Sequence, residues 1–211
     1  MTGAIDISGY HYGSSARGHA HAYLLPTVEA ELAHLRAAGG RLFDLGCGNG
    51  SVAGALDQAG WQVVGVDPSA EGIIQARKTW PHLRLEEGSA YDDLADRYGR
   101  FPIVLSLEVV EHVYAPRLYA RTVFELLEPG GTAILSTPYH GYRKNLALAL
   151  SGKMDRHFTA LWDHGHTKFW SISTLNALLT EVGFGDIRFR RVGGIPPLAK
   201  SIVAIAKRPS A

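Results

Sequence analysis

The chain has 211 residues, of which 46% are apolar and 19% are charged, and its formal net charge is +1. These values are typical of one folded α/β domain with a modest insertion, and they exclude a disordered chain. The near-neutral charge argues against a protein that grips a polyphosphate through bulk charge. Cys47 is the only cysteine, so an internal disulfide is excluded and a reducing cytoplasm is the expected location.

Targeting and membrane signals are not evident in the sequence. Residues 1–10 contain neither a basic region nor an apolar region, so no signal peptide is predicted. No apolar run approaches the roughly 18 residues that a membrane-spanning helix needs. The longest run, Leu146 to Leu150, is far too short. We therefore expect a cytoplasmic protein without an integral membrane segment.

Short apolar runs alternate with segments of helical periodicity, which predicts βαβ units on a parallel sheet. The predicted strands are Arg41–Leu45, Trp61–Val66, Leu83–Leu85, Phe101–Leu107, Thr132–Ser136, Asp186–Val192 and Ser201–Lys207. The predicted helices are Thr27–Ala37, one around Val52–Ala59, one around Ile73–Ala76, Pro116–Leu127, a weak one at Lys144–Leu150, and Ser173–Val182. Pro129, Gly130 and Gly131 predict a tight turn before the fifth strand.

The regular pattern is interrupted in two places. We predict a domain at residues 39–211, preceded by a helical segment at 1–38 that packs on it as a lid. Between Pro138 and Trp170 (138–170) the sequence is irregular and rich in histidine and aromatic residues. A long loop inside a compact domain is usually a lid or a binding element, so this insertion is expected on the substrate side.

A glycine-rich loop follows the first predicted strand, with the sequence Asp44-Leu45-Gly46-Cys47-Gly48-Asn49-Gly50. A strand that ends in closely spaced glycines and leads into a helix lets a ligand approach backbone amides at the helix N-terminus. Position 51 is serine, so the glycines do not complete the dinucleotide-binding fingerprint. Taken alone, the loop is also compatible with a plain glycine-rich turn.

Asp67 ends the second predicted strand, about 20 residues beyond the first glycine, where a carboxylate can accept hydrogen bonds from both hydroxyls of a ribose. Asp67-Pro68-Ser69 is also compatible with a simple helix N-terminus. That second interpretation explains the residue types but not their spacing from the glycine loop.

Five motifs in chain order resemble those of class I methyltransferases that depend on S-adenosyl-L-methionine (SAM). They are Asp44 to Gly50, the acid Asp67, Gly88-Ser89-Ala90, Leu107 to Val113, and Leu127-Glu128-Pro129-Gly130-Gly131. Within that superfamily, Glu108 to Val113, Ser136-Thr137-Pro138 and His166-x-Lys168-Phe169 are similar to the ubiquinone-biosynthesis O-methyltransferases. The resemblance covers residues 40–207. It implies a doubly wound, mostly parallel seven-stranded sheet, the Rossmann-like methyltransferase fold, with an antiparallel C-terminal strand.

The resemblance also implies a SAM site. Its residues would be Asp44, Gly46, Cys47, Gly48, Asp67, Pro68, Ser89, Ala90, Leu107 and Glu108. The glycines would approach the methionine part of SAM, with Asp44 ordering the loop, and Asp67 would hold the ribose hydroxyls. Ser89 would stand beside the adenine, where the family more often has an acid.

Glu108, Glu111 and His112 are spaced i, i+3, i+4, so a helix that begins there would place them on one face. Three such ligands could bind a divalent cation, with Mg²⁺ favoured by the oxygen donors. The ubiquinone O-methyltransferases that this motif resembles are associated with a divalent metal. Alternatively, two acids at a helix start complement the helix dipole, and His112 is a hydrogen-bonded inner residue.

Transfer of a methyl group to a phenol or catechol requires removal of the hydroxyl proton. His112 is the first candidate base, because it follows the fourth strand, and His166 is the second. Other histidines and aromatic residues of the two irregular segments are expected to wall a small-molecule pocket. They are His11, His19, His21, His140, His157, His164, Tyr10, Tyr12, Tyr23, Tyr139, Tyr142, Trp162, Phe169 and Trp170.

The expected acceptor is a hydroxyl group of a small molecule, with nitrogen or carbon of a small metabolite as the alternative. A nicotinamide or flavin enzyme is disfavoured by Ser51. A nucleic-acid base methyltransferase is disfavoured because Leu107 to Val110 replace the Asn/Asp-Pro-Pro-aromatic motif of that group, so no nucleic-acid partner is expected. A non-catalytic SAM-binding protein remains a further alternative, and no sequence feature specifies an oligomeric state.

Overall fold

The computed structural model describes residues 21–35, 40–163 and 165–210. Within them, one sheet contains seven strands in the order β3-β2-β1-β4-β5-β7-β6. The strands are β1 (Arg41–Leu45), β2 (Gln62–Asp67), β3 (Arg84–Glu87), β4 (Phe101–Leu107), β5 (Leu127–Pro138), β6 (Gly185–Val192) and β7 (Ser201–Lys207). Strands β1 to β5 pair in parallel, whereas β7 runs antiparallel to both β5 and β6. The predicted fold class is confirmed.

Helices cover both faces of the sheet. They are α1 (His21–Leu35), α2 (Ser51–Gln58), α3 (Ala70–Thr79), α4 (Leu94–Tyr98), α5 (Pro116–Leu126), α6 (Tyr142–Leu150), α7 (Met154–Phe158) and α8 (Ile172–Val182). Buried side chains of α1, α2 and α3 form one apolar cluster with the sheet, and those of α4, α5 and α8 form a second. The sheet is therefore buried on both sides, as a mostly parallel sheet requires.

The central strands explain why the core forms where it does. All seven residues of β4 are buried, and so are the first six of β7. On α5, Tyr119, Val123 and Leu126 recur at helical spacing and are fully buried. Burial of one such large apolar side chain contributes about 1.5–3 kcal/mol. This core holds the carboxyl ends of β1, β2, β4 and β5 at one edge, where the candidate site lies.

The structure changes two local predictions. The turn expected at Pro129 to Gly131 lies within β5 as an irregularity, since the pairing of β5 with β4 shifts register there and Gly130 has a φ angle of 80°. The Gly130 amide donates to the Arg208 carbonyl at 3.0 Å. Helix α1 includes Pro26, although the sequence pattern predicted a helix only from Thr27. Apolar contacts of Leu24, Leu25 and Val28, all buried, outweigh the hydrogen bond lost at the proline.

Some predictions lie outside the described residues, namely those for His11, His19, His164, Tyr10, Tyr12 and the part of the 1–38 lid that precedes residue 21. Among the helices that are described, none combines the length and the apolar character needed to cross a bilayer.

Candidate active site

The glycine-rich loop joins β1 to α2 in a conformation that requires glycine. Gly46, Gly48 and Gly50 have φ angles of 87°, 53° and 72°, a region that other residues adopt only at a cost. The amides of Gly46 and Cys47 both donate to the Val66 carbonyl, at 2.8 and 3.0 Å, which fastens the loop to the end of β2. The Val109 side chain occupies the space where a Cβ on Gly46 would lie. Close packing therefore adds to the requirement for glycine at this position.

Asp67 connects the loop to α3. Its Oδ2 accepts a hydrogen bond from the Gly48 amide at 2.9 Å, and its Oδ1 accepts one from the Ser69 amide at 2.8 Å. Ser69 in turn caps α3, since its Oγ accepts from the Gly72 amide at 3.1 Å. Pro68 lies half-buried between them. The buried Asp67 carboxylate thus lies beside the glycine loop, where the sequence predicted a ribose contact.

Asp44, near the end of β1, and Cys47, within the loop, are both buried. Burial, and then the charge of Asp67, raises the pKa of the Asp44 carboxyl to about 7. Its Oδ2 has no hydrogen-bond partner among the described residues. Burial, followed by the charges of Asp44 and Asp67, also raises the pKa of the Cys47 thiol, so Cys47 is a neutral packing residue. A buried carboxylate oxygen without a partner fits a cationic ligand group, and SAM carries such a group on its methionine part.

Ser89 and Ala90 lie in the loop that follows β3. The Ser89 amide donates to Asp92 Oδ2 at 2.7 Å, and Ser89 Oγ accepts from the Tyr91 amide at 3.2 Å. The Tyr91 hydroxyl accepts from the Ala115 amide at 3.0 Å, which ties this loop to the segment before α5. The sequence analysis missed Asp92 and Tyr91. An acid three residues after a loop serine was the signal available for Asp92, because such an acid can accept the serine amide.

Leu107 is the last residue of β4 and is buried, and Glu108 follows it. Glu108 has a φ angle of 56°, and its Oε1 accepts a hydrogen bond from Ser136 Oγ at 2.8 Å. Its Oε2 accepts from Ser201 Oγ at 3.5 Å, and Ser201 Oγ lies 3.1 Å from the Tyr23 hydroxyl. Burial raises the pKa of Glu108 to about 7. Tyr23, Ser136 and Ser201 come from three distant elements, so sequence spacing gave no signal for this network.

The helix expected from Glu108 is wrong. Residues 108–115 form turns between β4 and α5, with the His112 amide donating to the Val109 carbonyl at 2.9 Å. The left-handed φ of Glu108 is incompatible with a right-handed helix beginning at that residue. Glu108, Glu111 and His112 therefore do not share a helix face.

The structure brings Glu111 and His112 together with His166 instead. Among the described residues, these three could hold a metal ion, since one ligand atom from each lies within 4.8 Å of the others. The Thr167 and Lys168 amides donate to the Glu111 carbonyl at 2.8 and 3.0 Å, which places the end of the insertion against this turn. Both candidate bases, His112 and His166, are thus adjacent, with ring centroids 4.8 Å apart.

Glu111 is buried, and neither of its carboxylate oxygens has a hydrogen-bond partner within the described part of the chain. Burial, and then the charge of Glu108, raises its pKa well above the usual range. Burial, followed by the neighbouring His112 and His157, lowers the pKa of His166 to about 4. Trp162 covers the two imidazoles, with centroid distances of 6.0 Å to His112 and 5.1 Å to His166. A buried carboxylate, two imidazoles and an aromatic cover can bind and deprotonate a polar group.

The other aromatic residues divide into two groups. His140, His157, Phe158 and Phe169 pack together, with ring centroids 4.7 to 5.5 Å apart. By contrast, three residues predicted for the pocket lie elsewhere. Tyr139 and Trp170 are part of the core, and Tyr142 is 81% exposed.

We call the edge formed by the glycine loop, Asp67 and residues 88–92 the cofactor side, and the edge formed by residues 108–112 and the insertion the acceptor side.

The sheet order and the glycine loop at its carboxyl edge define a Rossmann-like cofactor-binding protein. A family model described as a methyltransferase domain matches residues 17–188, which is more than half of the chain. The chain therefore belongs to the family of SAM-dependent methyltransferase domains.

Curated relatives are consistent with this family. The chain is 34% identical over 152 residues to a ubiquinone biosynthesis O-methyltransferase of Azorhizobium caulinodans, a match that covers 68% of this chain and 58% of the relative. It is 37% identical over 134 residues to the enzyme of the same name from Caulobacter sp. (strain K31), covering 62% and 52%. The chain thus spans little more than half the length of these relatives.

Solved structures show the same fold. The magnesium protoporphyrin IX methyltransferase of Synechocystis PCC 6803, with bound SAH, aligns with a TM-score of 0.61 and 22% identity, covering 87% of this chain and 82% of that one. The CMeT domain of the citrinin polyketide synthase aligns with a TM-score of 0.70 and 16% identity, covering 89% and 53%.

Proposed function

We propose that the chain transfers the methyl group of SAM to a hydroxyl group of a small-molecule acceptor. The observation that carries the proposal is the cluster of Glu111, His112 and His166 at the carboxyl end of β4, on the acceptor side. Curated relatives named O-methyltransferases support an oxygen acceptor. Nitrogen or carbon of a small metabolite is the alternative acceptor.

Different residues of the chain bind SAM and position the acceptor. On the cofactor side, Gly46, Gly48 and Asp67 form the binding surface for SAM, and the unpartnered Asp44 Oδ2 lies near the same loop. When bound, SAM supplies an electrophilic methyl group on a sulfonium, and the chain has to position the acceptor and its proton. His112, as a neutral imidazole, accepts the hydroxyl proton. Trp162 packs against both imidazoles.

We also propose a divalent cation on the acceptor side, held by Glu111, His112 and His166, with Glu108 outside the ligand set. The buried Glu111 carboxylate, with neither oxygen hydrogen-bonded within the described residues, fits a cation. Two imidazoles and one carboxylate suit Zn²⁺ or Mn²⁺ better than Mg²⁺. Such an ion lowers the pKa of a hydroxyl bound to it. His112 then acts as a ligand, and a metal-independent reaction would keep it as the base.

The domain organisation is part of the same proposal. We propose residues 39–211 as the catalytic domain, with 138–170 as the substrate-side insertion and 1–38 as a lid. The hydrogen bond from the Tyr23 hydroxyl to Ser201, which also contacts Glu108, supports a place for the N-terminal helix beside the acceptor side. A cytoplasmic location is supported by the single, buried Cys47.

The deciding measurement is transfer of labelled methyl from SAM to a panel of small phenols, catechols and amines, with and without a chelator. Labelled ether from a catechol supports the proposed function, and its loss on chelation with recovery on added Zn²⁺ or Mn²⁺ supports the metal site. Product that still forms in the presence of the chelator excludes the proposed metal site. If only amines become labelled, the acceptor atom is nitrogen and not oxygen. Absence of product with every acceptor, despite SAM binding, contradicts the enzyme.

A matched pair of histidine variants tests the site itself. His112→Ala should abolish turnover and leave the affinity for SAM near that of the wild type. His82→Ala is the control, because His82 is exposed and pairs with Asp57 at 2.9 Å. Full activity of His112→Ala excludes that residue from the reaction.

A further inference from the structure

Glu108 has an unusual backbone conformation for a residue that follows a buried strand. Its φ angle is 56°, a left-handed value that it shares, among the described residues other than glycine, with Thr159 and Asp186. Those two residues are exposed, whereas Glu108 is half-buried on the acceptor side. Such a conformation costs free energy, persists only where the surrounding contacts enforce it, and is concentrated at functional sites. The contacts that hold Glu108 therefore bear on its function.

Ser136, in the last part of β5, holds Glu108 at two places. Its Oγ accepts a hydrogen bond from the Glu108 amide at 3.0 Å and donates one to Glu108 Oε1 at 2.8 Å. The Ser136 carbonyl accepts from the same amide at 3.1 Å. The neighbouring strand thus fixes the backbone of Glu108 and one oxygen of its carboxylate.

The other carboxylate oxygen is held from the two ends of the chain. Ser201, the first residue of β7, donates from its Oγ to Glu108 Oε2 at 3.5 Å. A serine hydroxyl has only one proton to donate. Because Ser201 donates that proton to Glu108, the Tyr23 hydroxyl, which lies 3.1 Å from Ser201 Oγ, is the donor to Ser201. The hydrogen bonds therefore run in one direction, from α1 through β7 to the carboxylate.

The Tyr23 hydroxyl keeps the proton that this direction requires. Burial raises the pKa of Tyr23, the hydrogen bond with Ser201 lowers it, and the charges of Glu108 and Glu111 raise it again, with a net increase. The contribution of both glutamates also shows that Tyr23 lies within electrostatic reach of the acceptor side. The hydroxyl is therefore a donor at neutral pH.

The packing of α1 fixes the place of Tyr23. A Cβ added to Gly193 would meet the Tyr23 ring at 3.0 Å, and Lys200 Nζ lies 5.3 Å from the centre of that ring. Further along the helix, Glu31 pairs with Arg190 at 3.2 Å. The apolar side chains of the helix that are buried are Leu24, Leu25, Val28 and Leu32. These contacts hold α1 in one register, so the hydroxyl is presented to Ser201 without a search among rotamers.

We propose that Tyr23 is a positioning residue of the acceptor side, whose hydroxyl acts through Ser201 to hold the Glu108 carboxylate in the orientation that binds a polar group of the acceptor. A carboxylate offers about four positions for hydrogen-bond donors, and the two serines occupy two of them. The remaining positions are available to the acceptor. The effect on turnover rests on the proposed function, whereas the orientation of the carboxylate is measured without turnover.

Carbon NMR of the full chain, labelled with ¹³C at the carboxyl groups of glutamate, measures that orientation. The Glu108 resonance is identified by its absence in Glu108→Gln. Tyr23→Phe removes the hydroxyl and keeps the ring, and it should shift this resonance by more than its linewidth. An unshifted Glu108 resonance overturns the proposal.

Tyr98→Phe is the matched control for that variant. The Tyr98 hydroxyl donates to Glu86 at 2.8 Å, so the control also removes a hydrogen bond from a tyrosine to a hydrogen-bonded glutamate side chain. Tyr98 ends α4, whereas Tyr23 belongs to α1. The control should shift the resonance of Glu86 and leave that of Glu108 in place. Equal shifts of the Glu108 resonance in the two variants contradict the assigned contact.

Steady-state kinetics with a catechol as acceptor tests the role in turnover. Tyr23→Phe should lower kcat about tenfold, which is the effect of one lost hydrogen bond that acts on a charged group, and should keep the Kd of SAM within about twofold of the wild type. Tyr98→Phe should keep kcat. A purely structural Tyr23 would change stability and not the kcat of the folded protein, so an unchanged kcat overturns the proposal. A wild type without turnover contradicts the proposed function, and the carbon resonance then still decides the role of Tyr23.

Ser201→Ala tests the route of the contact. Because this variant interrupts the chain of hydrogen bonds, adding Tyr23→Phe to it should change neither the Glu108 resonance nor kcat any further. The affinity of Ser201→Ala for SAM serves as the check that the variant is folded. Additive effects in the double variant would show that Tyr23 acts independently of Ser201, which contradicts the proposed route.

Discussion

The cofactor side and the acceptor side occupy the same edge of the sheet, but their buried acids have different surroundings. On the cofactor side, each oxygen of Asp67 accepts a backbone amide, from Gly48 and from Ser69. On the acceptor side, both oxygens of Glu111 lack a partner within the described residues. A satisfied carboxylate supports the local fold, whereas an unsatisfied one costs stability and is available to a ligand. The comparison indicates that the buried acid of the cofactor side stabilises the fold, whereas the buried acid of the acceptor side destabilises it.

The largest effect is expected at the glycine loop. Gly46→Ala should lower the free energy of unfolding by about 3 kcal/mol or more, because its methyl group meets Val109 and its φ is 87°. Gly40→Ala is the control, with a φ of 70° and no described atom within 4 Å of the added carbon. It should cost only about 1–2 kcal/mol, the price of the left-handed backbone alone. Urea unfolding measures both, and equal losses would show that the contact with Val109 is unimportant.

Asp67 tests whether the satisfied acid also serves the cofactor. Asp67→Ala should weaken SAM binding about 100-fold, or about 2.7 kcal/mol, because charge-assisted contacts are lost and the amides of Gly48 and Ser69 lose their acceptors. Asp67→Asn keeps one acceptor oxygen and should lie between Asp67→Ala and the wild type. Titration calorimetry provides the affinities. An unchanged affinity in Asp67→Ala would remove this residue from the SAM site.

Asp44 gives the cofactor side a dependence on pH. Its pKa is about 7 in the folded protein and near the ordinary value of 3.8 in the unfolded chain. The folded state therefore binds more protons between these values, so stability falls as the pH rises from about 4 to about 7. The slope from this group is at most about 1.4 kcal/mol per pH unit. Asp44→Asn should remove this contribution, and denaturant titrations at several pH values without SAM would detect it. Identical profiles for both proteins would contradict the raised pKa.

The smallest change in stability is expected when two buried glutamates, one without a partner and one paired, are each replaced by methionine. Glu111→Met should raise the free energy of unfolding by about 1 kcal/mol and abolish turnover, because an unpartnered acid is replaced by an apolar side chain of similar shape. Glu31→Met is the matched control. Glu31 is buried and pairs with Arg190 at 3.2 Å and Arg188 at 3.5 Å, so its loss should destabilise the protein. Thermal unfolding of both variants should show shifts of opposite sign, and shifts of the same sign would refute the difference.

Much of the fold could be predicted from the sequence. The predicted bounds of Arg41–Leu45, Phe101–Leu107 and Ser201–Lys207 coincide with β1, β4 and β7. These strands are short apolar runs that are buried almost throughout, so local composition and burial indicate the same element. The turn predicted at Pro129 to Gly131 is an irregularity inside β5, because the Gly130 amide also pairs with Arg208, far along the chain.

The acceptor side was less predictable. Helical spacing suggested Glu108, Glu111 and His112 as one set, but the conformation of Glu108 depends on Ser136 and Ser201, which lie on other strands. The route of the chain through the insertion places His166 beside Glu111, and no local sequence pattern specifies that route. The periodicity of α6 identified a helix but not which face points inward, since that is decided by contacts of Lys144 with residues near β7.

The two ends of the insertion meet in the core. Tyr139 and Trp170 form an isolated parallel bridge, the His140 amide donates to the Trp170 carbonyl at 2.8 Å, and the Trp170 indole donates to the Val110 carbonyl at 3.1 Å. The loop is thus closed by the sheet, and closure entropy grows only slowly with loop length. Residues 141–160 therefore form a replaceable cassette, which leaves Trp162 and His166 in place. Grafting a cassette of another length or composition between these anchors offers a route to new acceptor preferences while the glycine loop and Asp67 stay intact.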